Sequence, residues 1–200
     1  MISVDRIPTI IPKTKGKTCV AISAGTWHSL LALSFPPLPN DCGLLYSFGS
    51  GYHGQLGRGP DMMVSLTPGL VEYLSERHVF CREISAGSHH SAAVTLEGEL
   101  FTWGSNRSGC LGRTIDEMDV EYSTLPGHVG GFGALVDGIG RGLVNHVSCG
   151  KEFTIVSTYP YEGPDLHTAY MIMEEEAARR RDNDDMESLA DSISVVSTIQ

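Results

Sequence analysis

The chain has 200 residues, of which 41% are hydrophobic and 19% charged. That length and balance fit one compact domain with an appended tail and exclude wholesale disorder or a collagen-like fibre. With 24 acidic against 14 basic residues and a net charge of −10, a broad electrostatic grip on phosphate backbones or anionic lipid is disfavoured, so nucleic acid is not an expected partner.

From the N-terminus, Met1 to Lys17 hold no apolar core of the signal-peptide kind, and no stretch approaches 18 apolar residues. No membrane span is expected, and the chain reads as intracellular, cytoplasmic and/or nuclear. Five cysteines (Cys19, Cys42, Cys81, Cys110, Cys149) form no CxxC pair, which argues against a disulfide framework or zinc knuckle and for reduced thiols. Gly16-Lys17-Thr18 echoes the end of a phosphate loop, but Ile11 stands where the loop needs its first glycine, so a turn is expected.

Self-comparison organises the chain. Ile22-Ser23-Ala24-Gly25 returns as Ile84-Ser85-Ala86-Gly87 and as Val147-Ser148-Cys149-Gly150, at intervals of 62 and 63 residues. Three residues after the first two glycines come His28 and His90, while Phe153 fills the slot in the third copy. Downstream, Tyr46-Ser47-Phe48-Gly49 matches Phe101-Thr102-Trp103-Gly104, and Gly54-Gln55-Leu56-Gly57 matches Gly109-Cys110-Leu111-Gly112. Prolines at Pro8, Pro68 and Pro126 each precede a β-branched residue three positions on.

Each unit reads as β structure. Ser91 to Leu96 predicts a strand, Glu97-Gly98 a two-residue hairpin turn, and Glu99 to Trp103 the return strand. The first unit carries seven more residues between its histidine and aromatic-Gly pair, placed at Ser34 to Cys42 with Pro36, Pro37 and Pro39. Cys19 and Cys81 share a slot and are expected as small packing residues, whereas Cys42 and Cys110 fall in predicted loops where exposure is expected.

These motifs resemble the RCC1-repeat (regulator of chromosome condensation) family, whose units join an A/C-G-x-x-H segment to an aromatic-G…G-x-L-G segment. The resemblance covers roughly residues 5 to 157 and weakens after 144. It implies an all-β fold of propeller blades. The expected organisation is 1–18 as a strand completing a preceding blade, 19–80 and 81–143 as two repeats, and 144–161 as a truncated third. An amphipathic helix at 162–181, with Leu166, Ala169, Tyr170, Met173 and Ala177 on one stripe, and an acidic disordered tail at 182–200 follow. A closed ring needs about seven such units. The chain is therefore expected to be a piece of a longer propeller, a set of blades completed by self-association, or an open piece capped by its tail.

The glycine-rich stretch Gly127 to Gly142 completes no GxGxxG and reads as a connecting loop. His28 and His90, in equivalent slots, are expected to hydrogen-bond within their own blades. His89-His90 are adjacent in a predicted strand and face opposite ways, so no metal site is expected. Gly-x-Ser-x-Gly is absent, and no nucleophile has local support. Gly25, Gly49, Gly54, Leu56, Gly57, Gly87, Trp103, Gly104, Gly109, Leu111, Gly112 and Gly150 are the remaining repeat positions. Loops carry the functional hints, and Trp27, Tyr52, His53, Arg58, His89 and Arg107 are the candidate interaction residues.

The expected function is thus a non-enzymatic protein-interaction module without cofactor. The resemblance implies a regulator or guanine-nucleotide exchange factor of a small GTPase. It also implies, as alternatives, a scaffold or substrate-recognition part of a ubiquitin ligase or trafficking protein, or a chromatin-associated protein.

Overall fold

A computed structural model describes residues 11, 14, 16–115, 121–132 and 142–159. The expected leading strand before residue 11, the helix at 162–181 and the acidic tail lie outside the described residues.

Among the described residues, ten strands form three antiparallel sheets in chain order. The first sheet is β1 (Thr18–Ala24), β2 (His28–Ser34), β3 (Leu44–Ser50) and β4 (Val64–Leu70), in the order β1-β2-β3-β4. The second is β5 (Cys81–Ala86), β6 (His90–Thr95), β7 (Leu100–Ser105) and β8 (Tyr122–His128), in the order β5-β6-β7-β8. The third pairs β9 (Val144–Cys149) with β10 (Thr154–Thr158). A short helix, α1 (Glu72–Ser75), joins the first two sheets, an element the sequence pattern does not announce. Pro68 and Pro126 lie in β4 and β8, the outermost strands, where a missing N–H costs no ladder bond.

The sheets stack on their faces, so the cores lie between them. Leu30, Ala32, Leu45, Ile84, Phe101 and Trp103 are buried in the first joint. Val94, Leu100, Val129, Val144 and Val147 fill the second. Stacking decides burial: Ile84 on β5 is 6% exposed because the first sheet covers it, while its counterpart Ile22 on β1 is 69% exposed.

The same contrast corrects one cysteine. Cys81 is fully buried, but Cys19 is exposed, because among the described residues no sheet packs on its side of β1. Cys42 and Cys110, expected as exposed, are both buried. Cys42 precedes Gly43, whose N–H donates to the Cys81 carbonyl at 2.9 Å and so ties the proline-rich loop to the second sheet. Cys110 Sγ donates to the Ser105 carbonyl at 2.9 Å.

The β6–β7 hairpin also differs from its two-residue expectation. Thr95 Oγ1 accepts the Glu99 N–H at 3.1 Å, and Thr95 N–H donates to the Glu99 carbonyl at 3.0 Å. The pair closes one residue early, leaving the three-residue loop Leu96-Glu97-Gly98 with Gly98 at φ +76°. That is a turn followed by a left-handed glycine, the usual three-residue hairpin.

Candidate functional site: the inter-sheet joints and the loop face

Each joint is built from the repeat slots. At the first, Ser23 Oγ accepts the Ala86 N–H at 3.0 Å. The Thr26 N–H donates to the Gly87 carbonyl at 3.3 Å, and His28 Nε2 lies 2.8 Å from Ser91 Oγ. The second joint repeats all three. Ser85 Oγ accepts the Cys149 N–H at 2.8 Å, Ser88 N–H reaches the Gly150 carbonyl at 3.3 Å, and His90 Nε2 lies 3.0 Å from Thr154 Oγ1.

The histidines therefore bond across to the next sheet, which corrects the expectation of bonds within each blade. Their tautomer follows from proton counting. Ser91 Oγ donates its one proton to the Gln55 carbonyl at 2.8 Å, and Thr154 Oγ1 donates to the Cys110 carbonyl at 2.8 Å. Each hydroxyl must then accept from imidazole, so Nε2 carries the hydrogen. His28 Nδ1 is buried without a hydrogen-bond partner, a place for a lone pair rather than a second proton. Burial first, then His90 and His89, push the His28 pKa down to about 4. Burial likewise lowers that of His90, against a raising backbone bond at Phe153.

The Gly-x-x-His spacing has a steric cause. The imidazole folds back over the glycine three residues earlier. A Cβ on Gly87 would lie 2.6 Å from His90 Cε1 and 2.6 Å from the Gly150 carbonyl oxygen. A Cβ on Gly25 would likewise strike His28 and the Gly87 carbonyl oxygen. In the third copy the Phe153 ring occupies the imidazole's place over Gly150. The other repeat positions serve the same frame. Gly49 and Gly104 pair in register with His28 and His90. Leu56 and Leu111 are buried, and their carbonyls accept from Ser47 and Thr102 hydroxyls at 2.7 Å each.

In an antiparallel meander alternate loops leave the same end, so the β1–β2, β3–β4, β5–β6, β7–β8 and β9–β10 loops share one face. Trp27 and Tyr52 stand on it 64% and 62% exposed. His53 and His89 meet edge-to-face with ring centroids 4.7 Å apart. They line a cleft of about 180 Å³ with His90, Arg107, Lys151 and Glu152. Burial lowers the His89 pKa, and His53, Arg107 and Lys151 add to the effect while Glu152 opposes it. The cleft is thus a locally positive spot on an acidic chain, suited to a carboxylate or another anion.

Arg58 stands apart from that cleft. Its Nη1 donates to Ser65 Oγ at 2.9 Å and its guanidinium covers Gly69. Arg113 does the same with Ser123, at 2.9 Å, and Gly127. Sequence reasoning missed Lys151, Ser23, Ser85, Ser91 and Thr154. The hydroxyls recur in register inside otherwise apolar strands, and that recurrence was the available signal. Lys17, the end of the apparent phosphate loop, donates to the Tyr46 hydroxyl at 2.8 Å. Among the described residues no three His, Cys, Asp or Glu side chains gather as metal ligands, and no helix is long and apolar enough to cross a membrane.

Four-stranded antiparallel sheets stacked face to face, each joined to the next by one recurring polar seam, define a protein of propeller-blade class. The chain belongs to the Regulator of chromosome condensation (RCC1) repeat family, whose model matches residues 43–94 and 97–157. Each match joins the last two strands of one sheet to the first two of the next, so the family's sequence unit is centred on a joint. Human HERC3, a probable E3 ubiquitin-protein ligase, is 34% identical over 152 residues, 76% of this chain and 13% of that protein. The X-linked retinitis pigmentosa GTPase regulator of Canis lupus familiaris is 27% identical over 158 residues, 79% of this chain and 14% of that protein. Prp20p of Saccharomyces cerevisiae, characterised for its binding properties to Gsp1p and histones, has a similar fold. Its TM-score is 0.56 at 20% identity, over 86% of this chain and 35% of that one. This chain thus spans only a small part of the relatives it matches.

Proposed function

We propose that the chain works as a non-enzymatic protein-interaction module whose loop face engages an acidic surface of a partner. The observation that carries the reading is the gathering of His53, His89, Arg107 and Lys151 around one cleft on the face where Trp27 and Tyr52 stand exposed. Aromatic and arginine side chains are the residue types that dominate binding hot spots. His90 reaches the cleft from β6 with its Nε2 engaged by Thr154, and His28 is engaged by Ser91 in the first joint.

The first partner class is a small GTPase. Exchange of its nucleotide needs no covalent chemistry: a surface that binds the nucleotide-free form more tightly shifts the population toward it. Similarity to a GTPase regulator and to Prp20p supports this choice. The second reading is a recognition scaffold attached to a ubiquitin ligase, favoured by similarity to HERC3. Chromatin is the weaker alternative, since a net charge of −10 opposes binding to phosphate backbones.

Release of fluorescent GDP from a panel of small GTPases, with the chain present in catalytic amounts, separates the first two. Acceleration that Arg107→Glu abolishes supports exchange. Salt-sensitive binding without acceleration supports a scaffold. No binding to any acidic protein surface at low salt would refute the module reading.

A further inference from the structure

Among the described residues seven side chains are lysine or arginine, and five of them are engaged within the fold. Lys17 donates to the Tyr46 hydroxyl, Arg58 to Ser65, Arg77 to the Tyr73 carbonyl, Arg82 to the Asn145 carbonyl and Arg113 to Ser123. Arg107 and Lys151 make no side-chain hydrogen bond and no ion pair. Both line the loop-face cleft of about 180 Å³.

The cleft is specific to its joint. Trp27 and His89 each stand two residues past a joint glycine, and Tyr52 and Arg107 each stand three past the glycine of an aromatic-Gly pair. The slots that are aromatic at the first joint are therefore cationic or protonatable at the second.

Size and charge select the ligand. The cleft falls below the roughly 300 Å³ at which pockets take a drug-sized molecule or cofactor, so it holds a single head group. Arg107 and Lys151 against Glu152 leave one fixed positive charge. A carboxylate balances that charge and gives no role to the His53–His89 pair, whose ring centroids are 4.7 Å apart. A dianion balances it and also holds a proton on the pair. The His89 pKa is lowered by burial first, then by His53 and the two cations, against Glu152, and an entering dianion reverses that field. The remaining titratable lining is occupied: His90 Nε2 by Thr154, and the Cys110 thiol by the Ser105 carbonyl.

We infer that the cleft binds a phosphomonoester on a side chain of the partner, so that the loop face recognises a phosphorylated segment. This rests on the loop-face reading above and names the group recognised. At neutral pH such a group carries about −1.5 to −2 charges and three acceptor oxygens. Arg107 offers its planar fork to two of those oxygens and Lys151 a point charge. His89, protonated from solvent as the ligand enters, donates to the third.

The probe is a capped Gly-phosphoserine-Gly tripeptide, titrated at pH 7.0 and low salt into the 15N-labelled full chain, beside a capped Gly-Glu-Gly tripeptide and inorganic phosphate. The expected result is a saturable shift of the His53, His89, Arg107 and Lys151 amides, with affinity at least about tenfold above that of the glutamate peptide. Arg107→Ala combined with Lys151→Ala removes the saturable shift. His53→Gln combined with His89→Gln brings the two peptides to within about twofold of each other and leaves the melting temperature at the wild-type value. Equal affinity of the native chain for both peptides would overturn the phosphate assignment and leave the acidic-partner reading standing. Inorganic phosphate binding more than about tenfold tighter than the phosphopeptide would overturn the side-chain source and mark a site for the free ion. No saturable shift with the phosphopeptide, in a chain that still binds an acidic protein surface, would overturn the inference alone. A chain that binds neither would sink the loop-face reading with it.

Discussion

His28 Nε2 and Ser91 Oγ are 63 positions apart in sequence and 2.8 Å apart in space, one repeat along the chain and one sheet across the stack. The bond ties a histidine to a hydroxyl whose own proton is fixed on the Gln55 carbonyl, so the imidazole is held neutral with its hydrogen on Nε2. The arrangement recurs between His90 and Thr154, and the stack's acid sensitivity follows from it.

Folding lowers the His28 pKa from the usual 6.5 to about 4. Between those values the unfolded chain binds the extra proton, so stability rises with pH through this window. His28's share is complete above about pH 6.5 and is lost as pH falls toward 4, on the order of 3 kcal/mol in all. His90, shifted the same way, adds to the loss. Urea midpoints at pH 7.5 and pH 5.0 check this, with the midpoint lower at pH 5.0. An NMR titration of His28 is expected to show a neutral ring still at pH 5.

Gly87→Ala tests the close approach. A Cβ there would lie 2.6 Å from both His90 Cε1 and the Gly150 carbonyl oxygen, and neither can retreat without opening a joint. The expected cost is about 2 to 4 kcal/mol, read as a fall in denaturant midpoint. Gly130→Ala, where the added Cβ meets nothing within 4 Å, serves as control and stays near wild type.

Trp103→Phe keeps a six-membered ring on β7 but removes the pyrrole edge that lies over Gly57, together with its 2.9 Å bond to the Gln55 carbonyl. The expected loss is about 1 to 2 kcal/mol. Trp103→Ala, which leaves a larger cavity, is expected to cost about 3 to 5 kcal/mol. Equal losses for the two variants would mean that the pyrrole edge with its N–H, and not the six-membered ring, carries the contribution.

Charge reversal on the loop face separates binding from folding. Arg107 and Lys151 are exposed, so Arg107→Glu and Lys151→Glu are expected to stay within about 0.5 kcal/mol of wild-type stability. Affinity for an acidic partner falls, and with it the salt dependence of the association rate. Calorimetric melts beside binding curves at two salt concentrations check both halves.

The period, the strand content and the glycine and histidine slots were legible in the sequence, because a repeated unit must place equivalent residues in equivalent surroundings. The RCC1-repeat resemblance rested on those slots, and the family match agrees with it. What the slots did not disclose was direction. His28 meets a hydroxyl one repeat later, and a motif read within its own unit has no way to point outside it. The buried cysteines were missed for the same reason. Cys42 lies in a loop by local pattern, yet that loop bonds to Cys81 of the next sheet. Lys151 escaped notice because its repeat is degraded, with Phe153 in the histidine slot. Trp27 and Tyr52, by contrast, stand on the loop face as free side chains, where exposure follows from their place at the sheet ends.

The most direct test of the cross-sheet joint is a double-mutant cycle on His28→Ala and Ser91→Ala, measured by urea unfolding at pH 7.5. The joint predicts a coupling of about 1 to 2 kcal/mol between the two positions. Losses that add to within about 0.3 kcal/mol would contradict it and leave the sheets held by apolar packing and the Ser23 and Thr26 contacts.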